Sequence, residues 1–410
     1  MLKGNCIIGQ SGGPTAVINS SVLGLVHGAF YAPEIEKVLG VRYGVEGILK
    51  NKIFDFARED PRELNLLRNT PSSALGTCRY KLHDYEENEA DYEKIFDVFQ
   101  KNNIRYFFYI GGNDSMDTVN KLNKYAEKIN YDIVIIGVPK TIDNDLLGTD
   151  HTPGYGSAAK FIATSVMEVA HDSQVYDKEN VHIIEVMGRN AGWLAASSVL
   201  ARVDVSKAPD LIYLPERTFS LDRFMSDVEK VFKKKKNVLI VVSEGIKDKN
   251  GDYLQARKSS EHDEFGHKQM GGVSRFLAGF VKENICNRVK ALEMNILQRA
   301  SMHFASRIDI EEAYQCGRDA IKFALRGKSG QMVSLVRDST SPYEYSTRIV
   351  PVEEVANHEK IVPDEWINES GNFVTDDLFQ YVQPLIMGKV GLPLENGLPR
   401  YANLEMKYIT

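Results

Sequence analysis

Positive charge is in short supply in this 410-residue chain, where 50 Lys and Arg face 56 Asp and Glu for a formal charge of −6. A nucleic-acid partner would need a basic excess on some face, so that class is excluded at the level of composition. Cysteine is equally sparse: the four at positions 6, 78, 286 and 316 form no CxxC pair and no metal-ligand spacing. A disulfide scaffold is therefore excluded, and reduced thiols in or near the core are expected. Long apolar runs are missing as well. Residues 133–138 form one of the longest strongly apolar runs, against the roughly 20 residues that span a bilayer. The chain passes from Met1 into Cys6-Ile7-Ile8 with no basic region and long apolar stretch of the secretory kind, so a cytoplasmic protein is expected. Low-complexity stretches and short tandem repeats are lacking too.

What is present is an ordinary globular mix, 43% apolar and 26% charged, long enough for two or three domains at roughly 150 residues each. Short apolar runs ending in Gly or polar clusters, each followed by a helix-period segment, recur through the first 250 residues or so and predict parallel β-α units. Ile7-Ile8 runs into Gln10-Ser11-Gly12-Gly13-Pro14, after which Ile18, Val22, Leu25 and Ala29 share a helical face, with Pro14 suited to the first helical turn. Strands are predicted at 104–110, 133–138, 181–187 and 238–242. Their polar exits are Gly111-Gly112-Asn113-Asp114-Ser115, Pro139-Lys140-Thr141-Ile142-Asp143-Asn144-Asp145, Gly188-Arg189-Asn190 and Ser243-Glu244-Gly245. In open α/β sheets ligands bind beyond the carboxyl ends of the strands, so one shared cleft is the economical reading. The fold class is therefore α/β with two parallel-sheet lobes, a seam near Gly154-Tyr155-Gly156, and a return crossing near residue 298. The Pro-, Asn- and acid-rich chain after Asp338 is expected to wrap the surface or add to the second lobe. The run from Lys233 to Lys236 reads as the solvated end of a helix.

Two nucleotide-loop matches fail. Gly154-Tyr155-Gly156-Ser157-Ala158-Ala159 fits GxGxxA but lacks the strand that should precede it, and Gly327-Lys328-Ser329 has Lys322 where a P-loop has its first Gly. The Gly-Gly turns at 12–13 and 111–112 remain, and they suit a phosphate because glycine lets backbone N–H groups approach it at a helix start. Lys140, Asp143 and Asp145 fall within six residues past a buried strand. A carboxylate there would take a proton from an acceptor hydroxyl, and cations would spread the charge of a transferring phosphate. An Asp-Asn-Asp turn that merely caps local N–H groups is the bland alternative. Arg189 and Arg299 offer guanidinium groups for phosphate, and Glu244 an acceptor for sugar hydroxyls. Read from the residues alone, the chain is a Mg²⁺-assisted phosphate-handling enzyme.

Ser11-Gly12-Gly13-Pro14, Gly111-Gly112-Asn113-Asp114-Ser115, Pro139-Lys140-Thr141-Ile142-Asp143-Asn144-Asp145, Met187-Gly188-Arg189, Ser243-Glu244-Gly245 and Gln298-Arg299 stand in the order and spacing of 6-phosphofructokinases, and the resemblance spans about residues 4 to 335. It implies phosphorylation of fructose 6-phosphate on its C1 hydroxyl in a cleft between two lobes. Residues 1–155 plus about 298–340 would form the phosphoryl-donor lobe, and 156–297 plus about 341–410 the sugar-phosphate lobe. By the same resemblance Asp143 is the general base. Asp145 positions it or helps hold Mg²⁺, Thr141 contacts the transferred group, and Arg79 stabilises it. Gly12, Gly13, Gly112, Asn113, Asp114, Ser115 and Lys140 would surround the donor. Met187, Gly188, Arg189, Glu244, Lys290 and Arg299 would take the sugar phosphate.

Asp114 and Lys140 stand where ATP-using members have glycine, as in the pyrophosphate-dependent branch. The Asp114 carboxylate would repel the α-phosphate of ATP, while Lys140 would add a cation for compact pyrophosphate. Asn113 replaces an aspartate found in many members, so a Mg²⁺ contact there would use a neutral oxygen. Asn180 and Lys290 replace arginines that reach the adjoining subunit's sugar phosphate in relatives, which leaves a homodimer or homotetramer with a cross-subunit contact expected at Lys290 and in question at Asn180. An ATP-dependent enzyme, a diacylglycerol or NAD kinase relative, and a non-catalytic regulatory subunit of the same fold are the competing readings. Retention of both Asp143 and Asp145 argues against the last.

Overall fold

Each alternating apolar run becomes a strand in the computed structural model, which describes residues 2–175, 177–203, 206–254 and 272–409. The strands are β1 (Gly4–Gln10), β2 (Ile35–Val41), β3 (Ile53–Asp55), β4 (Ile104–Gly111), β5 (Val134–Pro139), β6 (Asn180–Val186), β7 (Leu211–Tyr213), β8 (Asn237–Ser243), β9 (Val289–Glu293), β10 (Gln331–Thr340) and β11 (Tyr343–Pro351). They form a seven-stranded sheet in the order β11-β10-β5-β4-β1-β2-β3 and a four-stranded sheet in the order β7-β8-β6-β9, and a separate two-stranded ribbon pairs Leu394–Glu395 with Leu398–Pro399. Strands β1, β4 and β5 pair in parallel and are buried almost throughout, which is why they read as continuous apolar runs rather than alternation. The chain leaves β1 toward β2 on one side and returns to β4 on the other, so the crevice between the exits of β1 and β4 is a topological switch point. Both Gly-Gly turns open there, joined by the Ser11 N–H donating to Ile110 O at 2.9 Å.

Two expectations are corrected. Strand β11 pairs antiparallel with β10 through Pro351, so the seam expected at residue 340 falls inside a hairpin and the large sheet extends past it. Its side chains alternate between half-buried and exposed, as an edge strand should. Pro14 is not in a helical turn. The first helix runs Ile18–Phe30, and Thr15 Oγ1 serves its start by accepting N–H groups from Val17 and Ile18.

Other features follow expectation. The helix after residue 154 begins at Tyr155 with no strand before it, all four cysteines are buried and free, and Lys233 caps the helix Leu221–Phe232. Among the described residues no helix is long and apolar enough to cross a membrane.

A buried polar network supports the loop after β5. His151, 1% exposed, lies between Asp150 and Glu312 at 2.7 Å from each, and Arg337 of β10 pairs with Asp150 at 2.9 Å. Burial pushes the His151 pKa down, but the facing carboxylates of Glu312 and Asp150 outweigh it and raise it from 6.5 to about 9. A group raised on folding stabilises fully below its unfolded value and loses that contribution as pH passes its folded value. Stability should therefore fall between pH 6.5 and 9, by on the order of 3 kcal/mol from this residue. Thermal unfolding midpoints across that window should decline, and His151→Gln should flatten the decline. An unchanged slope in the variant would assign it to other groups.

Candidate active site

Loops from both lobes meet in a cleft of about 580 Å³. Exits of the large-sheet strands bring Gly12, Gly13, Gly112, Asn113, Asp114, Ser115, Lys140, Thr141, Asp143 and Asp145, exits of the second sheet bring Met187, Arg189 and Glu244, and Arg79 and Arg299 complete the lining. Gly188 is not part of the lining. Its carbonyl accepts the Ser243 hydroxyl and so braces the β6 exit against the β8 exit. A Cβ on Gly245 would lie 1.9 Å from Arg189 O, so only glycine lets the two loops close and turn Arg189 inward. The Met187 N–H donates to Gln298 Oε1 at 3.2 Å, which ties the third loop, carrying Arg299, to the same corner.

Lys290 does not line the cleft of its own chain. It sits on edge strand β9 with its side chain 67% exposed, 3.8 Å from Asp172, outside the cleft. Asn180 likewise serves the second sheet, its amide donating to Ser173 O and Asn237 Oδ1.

Lys140 is buried beneath the first glycine turn, its ammonium donating to Gly13 O at 2.6 Å. Gly12 takes φ +76° there, and a Cβ on it would come within 3.3 Å of Lys140 Nζ. Burial lowers the Lys140 pKa to about 8, helped by Arg299 and Arg79 and opposed by Asp143 and Asp145. Burial likewise raises Asp143 against the pull of Lys140, Arg189 and Arg299. Asp145 rises to about 7 through burial and the neighbouring Asp143 charge, with Glu359 adding to it. Glu244 also reaches about 7, from burial and then Asp143. Arg299 falls below its usual value through burial and Arg79. Charges of both signs are thus held poorly solvated and close together, the condition under which bound anions and transferring protons feel them strongly.

Within Asp143-Asn144-Asp145 the turn chemistry belongs to the asparagine. Asn144 has φ +55°, its Oδ1 accepts the Thr152 N–H at 3.0 Å, and its Nδ2 donates to the Tyr381 hydroxyl at 3.0 Å. The flanking carboxylates are left for the cleft. Asp143 is 3.4 Å from the Thr141 hydroxyl, and Asp145 Oδ1 is buried with no hydrogen-bond partner.

Asn113 lines the cleft and has structural partners as well. Its Oδ1, expected at a metal, accepts the Asn357 N–H at 2.6 Å, and its Nδ2 donates to His358 O. It therefore acts as an anchor for residues 357–362. Asn357 and Glu359 line the cleft and went unforeseen because the chain after Asp338 carries no strand-to-helix signal. The trace that marks them is the polar cluster Asn357-His358-Glu359-Lys360 set between Val355-Ala356 and Ile361-Val362.

A phosphofructokinase family model matches residues 5–323. The pyrophosphate--fructose 6-phosphate 1-phosphotransferase of Halomonas elongata is 41% identical over 407 residues, covering 98% of this chain and 97% of that protein. Its namesake from Xanthomonas campestris is 40% identical over 408 residues, covering 99% and 97%. The crystal structure of a pyrophosphate-dependent phosphofructokinase from Nitrosospira multiformis superposes with a TM-score of 0.91 at 37% identity, covering 99% of this chain and 98% of that one.

Proposed function

The chain belongs to the phosphofructokinase family, and from that premise we propose how its cleft performs phosphoryl transfer. The reaction is reversible transfer from pyrophosphate to the C1 hydroxyl of fructose 6-phosphate, giving fructose 1,6-bisphosphate and phosphate. The observation that carries the residue roles is the meeting, in one cleft, of buried Lys140 and half-buried Asp143 with Arg189 and Arg299. Arg189, Arg299, Met187 and Glu244 bind the sugar phosphate and present its C1 hydroxyl to Asp143. As that oxygen attacks phosphorus, Asp143 takes its proton, the bridging P–O bond breaks, and phosphate leaves with the electron pair. Lys140, Arg79 and the N–H groups of the Gly12–Gly13 and Gly112–Ser115 turns balance the donor's charge, and Thr141 contacts the transferring group.

Mg²⁺ fits the donor set. Among the described residues no group of three or more His, Cys, Asp and Glu is arranged to hold a metal, but Mg²⁺ usually retains waters and takes one or two carboxylates plus substrate phosphates. Asp145, with its unpartnered buried oxygen, would be such a ligand. When bound, the ion would neutralise phosphate charge and orient the pyrophosphate. A cytoplasmic homodimer or homotetramer completes the reading, with exposed Lys290 available to a second copy's site.

Purified protein with fructose 6-phosphate and Mg²⁺ should form the bisphosphate at least roughly 100-fold faster from pyrophosphate than from ATP, the factor that about 3 kcal/mol of like-charge exclusion supports. The reverse preference would sink the pyrophosphate assignment.

A further inference from the structure

Residues 357–362 strap one lobe to the other. On the large-sheet side Asn357 N–H bonds Asn113 Oδ1 at 2.6 Å, Asn357 Nδ2 donates to Asp117 at 3.1 Å, and Lys360 N–H bonds Asp145 O at 2.7 Å. On the other side Trp193 Nε1 donates to Lys360 O at 2.8 Å, and Val362 N–H to Glu216 Oε1 at 3.0 Å. Between these anchors the strap carries Glu359 into the lining of the cleft that also holds Asp145. Asn190 Nδ2 donates to Glu359 Oε1 at 2.7 Å, and the Tyr253 hydroxyl donates to Asn190 Oδ1 at 2.8 Å. That relay fixes which end of the Asn190 amide faces the carboxylate. Glu359 is exposed, so the carboxylate oxygen not held by Asn190 faces solvent at the cleft.

We infer that Glu359 is a second carboxylate ligand, with Asp145, for the divalent cation that accompanies pyrophosphate, in place of the neutral Asn113. Three observations converge on it. The neutral Asn113 oxygen already accepts a strap N–H, the Asp145 Oδ1 is buried and unpartnered, and Glu359 is held through one carboxylate oxygen with the other facing the cleft. Asp145 and Glu359 are two of the five carboxylates that line the cleft, with Asp114, Asp143 and Glu244, and a cation between these two relieves their mutual repulsion. Two protein carboxylates plus phosphate oxygens and waters form an ordinary Mg²⁺ shell. The assignment rests on the phosphotransferase reading for the identity of the anion that shares the metal.

Mn²⁺ titration followed by the electron paramagnetic resonance of the free ion tests it without turnover, in the presence of methylenediphosphonate as a non-transferring pyrophosphate analogue. Glu359→Gln should weaken Mn²⁺ binding at least about tenfold, Glu359→Asp less, and Asn190→Ala a few-fold by releasing the carboxylate. In assays Glu359→Gln should raise the Mg²⁺ concentration needed for half-maximal rate while leaving the KM for fructose 6-phosphate near that of the wild type. Mn²⁺ affinity within twofold of wild type in a folded Glu359→Gln protein overturns the inference. Should the wild type fail to use pyrophosphate, the functional reading falls, and the Mn²⁺ comparison still decides the role of Glu359.

Discussion

Replacing Asp143 by serine should lower kcat by on the order of 10²–10⁴-fold while leaving the KM for fructose 6-phosphate nearly unchanged, because a general base acts mainly in the transition state. The competing account makes Asp143 a turn residue, and the turn bonds decide between them. Asn144, not Asp143, accepts the Thr152 N–H and bonds Tyr381, so removing the Asp143 carboxylate leaves that scaffold in place. Burial raises the Asp143 pKa, which makes the carboxylate a better proton acceptor, with loss of rate expected as pH falls through its value. The variant also has a second signature. Asp143 holds the Lys140 pKa up against burial, so its loss should move the alkaline limb of the pH profile to lower pH. Equal losses in sugar-phosphate binding and turnover would return Asp143 to a structural role.

The cleft was legible in the sequence where a buried strand ends abruptly in glycine or charge. Ser11-Gly12-Gly13, Gly111–Ser115 and the loop 139–145 all sit at strand exits, because parallel strands are apolar on both faces and any polar cluster marks where they leave the core. Other features were decided by contacts that no local pattern encodes. Strand β11 has half-exposed alternation and reads as surface chain until β10 is beside it. The helix starts only at Ile18, after a turn in which Thr15 Oγ1 accepts the Val17 and Ile18 N–H groups, a choice that Pro14 at the earlier position obscured. The strap at 357–362 is irregular backbone fixed by Asn113, Asp145, Trp193 and Glu216, residues drawn from both lobes. Its most informative residue, Glu359, looks in sequence like any solvated acid.

Lys140→Gly should reduce kcat/KM for pyrophosphate by roughly 10²–10³-fold, since deleting one partner of a buried charge pair costs about 2–5 kcal/mol. Lys140 carries this weight because it is the buried cation beneath the Gly12–Gly13 turn, bonded to Gly13 O at 2.6 Å, and a compact anion bound on that turn would feel its charge with little screening. Its lowered pKa of about 8 leaves it charged at neutral pH, so pyrophosphate use by the free enzyme should fade as pH rises through that value, and bound anion should shift the fade upward. The substitution alone should not admit ATP, because Asp114 still lines the cleft at the start of the helix Asn113–Lys128. There its carboxylate already occupies the favourable field of the helix N-terminus and repels an α-phosphate. Asp114→Gly with Lys140→Gly removes both the repulsion and the side-chain bulk, and ATP-dependent formation of the bisphosphate should then rise at least about tenfold over the wild type. Steady-state kinetics with each donor for the single and double variants separate the two contributions. Undiminished pyrophosphate transfer in Lys140→Gly would show that Arg79 and the backbone turns suffice. A folded double variant as blind to ATP as the wild type would place donor choice elsewhere in the cleft.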